Sequence, residues 1–101
     1  MLSRILKKVN EKGKYMKKIV VVTQRIEVTI DEAKFDEEFL QEFRESFYPF
    51  NTVDDHIEHL AQLFARGIAY DSPTCFIEGY GEARDLGIEF EIIDTDVELE
   101  D

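Results

Sequence analysis

Tryptophan is absent from this 101-residue chain, cysteine occurs once, proline twice and glycine five times. The lone Cys75 excludes an intramolecular disulfide framework and fits a reducing, cytoplasmic compartment. So little proline and glycine excludes a collagen-like or low-complexity chain. No apolar run approaches the roughly 20 residues that a membrane-spanning helix needs. Bases are also scarce, 12 against 23 acids, for a formal net charge of −11. Nucleic-acid binding rests largely on neutralising phosphates, so this charge argues against direct nucleic-acid contact. The same field attracts basic proteins and speeds their encounter.

What is present is enough for one folded domain. Hydrophobic residues make up 44% of the chain and aromatics 12%, so a single core can form without metal or disulfide staples. Residues 1–15 stand apart as a basic N-terminal extension, with Arg4, Lys7, Lys8, Lys12 and Lys14 against Glu11 alone. Leu2, Ile5, Leu6 and Val9 recur there at helical spacing. Three readings stand: a membrane-surface or targeting segment, an arm docking on the acidic body of its own or another copy, or sequence upstream of a bacterial start at Met16-Lys17-Lys18. Residues 16–93 then form the single domain, and 94–101 an acidic C-terminal tail.

Ile19 to Ile30 alternates with period two, which predicts a strand with Val20, Val22, Ile26, Val28 and Ile30 on its buried face. Gln24 interrupts that face and suggests a sheet margin or a bulge. Asp31 to Lys34 is a turn. Asp36 then caps a helix whose stripe is Phe35, Phe39, Leu40, Phe43 and Phe47, with Pro49 as its stop. Thr52 opens a second helix, with Asp55 completing a capping box and Gly67 ending it. Its apolar stripe is Val53, Ile57, Leu60, Ala61, Phe64 and Ile68. Strands are expected over Thr74–Tyr80 and Gly87–Ile93. After residue 93 the apolar register flips to Ile93, Thr95, Val97 and Leu99, which implies a bulge, a bend or a strand end. The order β-α-α-β-β predicts an α+β fold, a three-stranded, mostly antiparallel sheet with both helices on one face.

No constellation for catalysis, cofactor or metal binding assembles from the sequence. His56 and His59 share a side of the second helix beside Asp55 and Glu58. They lack a third and fourth ligand, and they read as solvent-facing or half-buried histidines on a charged face. Cys75 opens an apolar strand and reads as a small buried hydrophobe. Gly79, Gly81 and Gly87 lack the lysine and helix N-terminus of a phosphate loop and read as turns. The corner Phe47-Tyr48-Pro49-Phe50 reads as a plug for the end of the helix pair, with a partner anchor as the other use.

The acids are the candidate binding residues. Glu37, Glu38, Glu42 and Glu45 line the first helix, and Asp54, Asp55 and Glu58 the second. Asp94, Asp96 and Glu98 alternate near the C-terminus. Alternate residues of an extended strand lie about 6.8 Å apart, comparable with successive phosphates of a nucleic-acid strand. In size, charge and lack of catalytic groups the chain resembles small acidic single-domain proteins of phages and mobile elements, such as anti-CRISPR proteins and restriction inhibitors. That resemblance implies a non-enzymatic inhibitor or adaptor that engages a basic nucleic-acid enzyme, such as a CRISPR effector, as a DNA mimic. The alternative is a self-associating domain, a homodimer built on a sheet edge or an apolar patch.

Overall fold

A computed structural model describes residues 14–100, so most of the basic extension and its amphipathic spacing lie outside the described residues. Strand β1 (Ile19–Thr29) leads through a 3-10 turn at Glu32–Lys34 into helix α1 (Glu37–Ser46) and helix α2 (Val53–Ala65). A small hairpin, β2 (Phe76–Ile77) and β3 (Gly81–Glu82), and a 3-10 turn at Ala83–Leu86 precede the long strand β4 (Glu89–Glu100).

Local signals set the helix ends. Asp36 accepts a hydrogen bond from the Phe39 N–H at 2.9 Å, which satisfies one of the free donors of the first turn of α1. Helix α1 ends at Ser46, three residues before Pro49, because the residue preceding proline is kept out of helical geometry. Thr52 and Asp55 form a reciprocal capping box at the start of α2. Gly67, at φ 76°, ends it: the Gly67 N–H donates to Phe64 and the Ile68 N–H to Leu63, the paired bonds of a Schellman motif.

The expected three-stranded sheet is not formed. The strands make two separate antiparallel pairs, β1 with β4 and β2 with β3. Thr74–Tyr80 cannot extend the main sheet. Gly79 and Gly81 both take positive φ, and the segment curls so that Cys75, Ile77 and Tyr80 point into the core. Phe35, Phe43, Leu60, Ala83, Ile88 and Phe90 complete that core, with Phe64 stacked on Phe90 at 4.8 Å.

The C-terminal acids are not a separate tail. Residues 94–100 continue β4 and pair with β1 from Arg25 back to Ile19. The register flip is a β-bulge: Arg25 pairs with Asp94 and Ile26 with Ile92, leaving Ile93 as the extra residue. The result is a long two-stranded ribbon, and the molecule measures 62 × 27 × 25 Å. Only its proximal part, where Ile26 and Val28 lie, packs against the core. Val20 and Val22, expected on a buried face, are exposed because no described helix reaches that far along the ribbon.

Candidate functional site

Cross-strand neighbours share a face, so the register sorts every ribbon residue. Val20 opposes Leu99, Val22 opposes Val97, Ile26 opposes Ile92 and Val28 opposes Phe90. These pairs form one apolar face, interrupted by Gln24 opposite Thr95 and kept in phase by the extra residue at Ile93. On the other face Glu100, Glu98, Asp96 and Asp94 oppose Ile19, Val21, Thr23 and Arg25. Beyond the bulge Glu91 opposes Glu27, and Glu89 opposes Thr29. The outer face is therefore acidic along its whole length, with Arg25 as its single base.

Asp94, Asp96 and Glu98 are thus brought together in a row, all exposed. Their side chains recur about every 6.8 Å. That lies within a Debye length at physiological salt, so their fields add. Glu89, Glu91 and Glu100 belong to the same row, and Glu27 lies beside it on β1, opposite Glu91. A bulge at Ile93 is the signal that joins the two halves: without it, the acids before and after residue 93 fall on opposite faces.

The helical acids are placed separately. Glu38, Glu42 and Glu45 are exposed along α1, with Glu45 accepting from the Gln41 side chain at 3.3 Å. Glu37 is engaged by Arg44 at 3.3 Å. Asp54 and Glu58 are exposed one turn apart on α2. Asp55 is occupied: its carboxylate accepts from the Asn51 and Thr52 N–H groups at 3.0 and 3.2 Å, and the Asn51 bond above all holds its pKa below the usual carboxylate value.

Of the two histidines, His59 is half-buried, as the sequence leads one to expect, and His56 is not. His56 is fully buried, boxed by Phe35, Phe39, Phe43, Phe50 and Tyr80. Its Nδ1 lies 2.7 Å from the Tyr80 hydroxyl, and its Nε2 has no hydrogen-bond partner. Desolvation, then the neighbouring His59, lowers its pKa, so it is a neutral core residue. Burial raises the Tyr80 pKa well above its ordinary value. His59 instead helps line a cavity of about 480 Å³ with Phe47, Tyr48, Leu63, Ile68, Phe76 and Glu78. The aromatic corner divides accordingly. Phe50 packs against the core, while Phe47 and Tyr48 remain exposed on the cavity wall. Among the described residues no group of three or more His, Cys, Asp or Glu is placed to hold a metal ion. Among them, too, no helix is long and apolar enough to cross a membrane.

The chain matches no protein-family model, no curated protein and no solved structure.

Proposed function

We propose that this is a non-enzymatic binding protein whose acidic ribbon face engages a basic protein, in particular one that otherwise holds nucleic acid. The observation that carries this reading is the row Glu89, Glu91, Asp94, Asp96, Glu98 and Glu100 on one side of a paired strand. A row on a disordered tail would lose chain entropy on binding. Carboxylates on a hydrogen-bonded strand are already spaced, so that cost is avoided. Their spacing suits a groove built for phosphates, and their charge favours fast, salt-sensitive encounter. An inhibitor or adaptor of a nuclease-like enzyme, such as a CRISPR effector, is the function class this chemistry fits. The exposed acids of α1 and of Asp54 and Glu58 supply a second, separate acidic surface.

The test is retention of host-lysate proteins on the full chain, eluted by a salt gradient, beside a D94N/D96N/E98Q variant. Support is recovery of a nucleic-acid-binding enzyme that leaves with rising salt, is displaced by added DNA or RNA, and is not held by the variant. Retention indifferent to salt, to nucleic acid and to the substitutions would leave the acids as a solvated surface.

A further inference from the structure

We infer that the distal half of the ribbon is a dimerisation arm, in which the face carrying Val20, Val22, Val97 and Leu99 packs against the same face of a second copy. The inference stands on the apolar side of the ribbon and does not rest on the acidic reading. Along the proximal half this face is covered by the chain's own core: Phe90 is buried, and Ile26 and Val28 pack against the core cluster. Along the distal half it is bare, with Val20, Val22, Val97 and Leu99 at 49, 59, 63 and 53% exposure; the exposure begins at the edge of the covered part with Ile92, opposite Ile26, at 46%. Isolated exposed aliphatics are ordinary, but a contiguous strip on a projecting two-stranded ribbon is not. A ribbon of this kind also has little stability of its own in water without a layer against its apolar side.

The occupant is read from charge and shape. No charged residue lies on this face between Val20 and Ile26 or between Ile92 and Leu99. Gln24 and Thr95, opposite each other, are its only polar pair. A basic partner finds nothing there to neutralise, and an anionic membrane would be repelled by the acids on the reverse side. A second copy fits both constraints. Related by a two-fold axis, the two strips meet apolar to apolar, about 10 Å apart as stacked sheets do. Asp94, Asp96, Glu98 and Glu100 of both copies then point outward, so the −11 charge of each chain is not forced together. Arms of this length, about 24 Å, bury on the order of 800 Å² in total, the size of a weak, concentration-dependent interface.

Sedimentation of the full chain from about 10 μM to 1 mM tests this, at low salt and in 1 M salt. The expected result is a monomer–dimer equilibrium that strengthens with salt, because screening relieves net repulsion while the apolar contact remains. The V22T/V97T variant keeps β-branched side chains and strand propensity but makes the strip polar. It should weaken the dimer at least about tenfold while leaving the fold intact by circular dichroism. A full chain that stays monomeric throughout overturns the inference, whether the strip is then covered by residues 1–13, a membrane or another protein. A dimer unaffected by V22T/V97T overturns it too, since the contact would lie on a strand edge or elsewhere.

Discussion

The Tyr80 hydroxyl meets Nδ1 of His56 at 2.7 Å inside a shell of phenylalanines, linking the β2–β3 hairpin to helix α2. A neutral imidazole carries one donor and one acceptor, and here only one nitrogen is served. Tyr80→Phe would leave both nitrogens without partners and should cost about 1–3 kcal/mol in urea unfolding. Adding His56→Leu removes the orphaned polar group, so the double variant should be less unstable than the sum of the singles. Additive losses would mean that the bond contributes nothing.

The same buried imidazole makes stability pH-dependent, and the sign follows from the direction of its shift. The His56 pKa is lowered in the folded protein, chiefly by desolvation, with His59 lowering it further and Asp55 opposing. Below the unfolded value of 6.5 the unfolded chain therefore binds the proton that the folded chain refuses. Stability is full above that pH and falls as the pH drops toward the folded pKa, with a slope of up to about 1.4 kcal/mol per pH unit. His59, also lowered by burial, adds in the same direction. Denaturant midpoints between pH 8 and 5 should show this slope in the native chain and a shallower one in His56→Leu. Equal slopes would place the titrating group elsewhere.

Gly67 and Gly79 separate backbone strain from crowding. Both take positive φ, but a Cβ at Gly67 meets nothing within 4 Å, whereas one at Gly79 would sit 2.7 Å from Phe43 Cε2. Gly67→Ala should cost about 1 kcal/mol, the left-handed penalty alone. Gly79→Ala adds overpacking against a core ring and should cost about 2–4 kcal/mol. Thermal melts of the two variants check the order, and equal losses would mean that Phe43 moves aside freely.

Local chemistry was the legible part of this fold. Asp36, the Thr52–Asp55 box and Gly67 act within a few residues, so sequence alone locates both helices. The pairing of β1 with β4 joins segments some 70 residues apart, and nothing in either strand names its partner. The expected middle strand failed because Tyr80 is drawn inward to His56, 24 residues earlier, and positive-φ glycines curl the chain around it. His56 itself is polar and flanked by acids, which points to the surface. Only the surrounding rings, gathered from three parts of the chain, make it a core residue. The flip after residue 93 was readable as a bulge or an end, and those two readings give opposite pictures of the acids. A bulge sets them on a rigid face, while an end leaves them on a tail.

Ile93 is consequently the residue that the ribbon sets aside to keep both its faces in phase. Deleting it would leave Ile92 opposite Ile26 and Asp94 opposite Arg25, so the strands would pair without a bulge and every later side chain would keep its side. Asp94, Asp96 and Glu98 would stay on the outer face, and Val97 and Leu99 would stay on the strip with Val20 and Val22. The proximal ribbon, held by Val28 and Phe90 in the core, is untouched. Amide exchange should therefore show protection retained over residues 19–25 and 94–100 as well as over 26–29 and 89–92. The ribbon dimer should persist with it. Protection lost over the distal residues would mean that the bulge does more than absorb one residue, and that the local twist it adds is what holds the distal strands together.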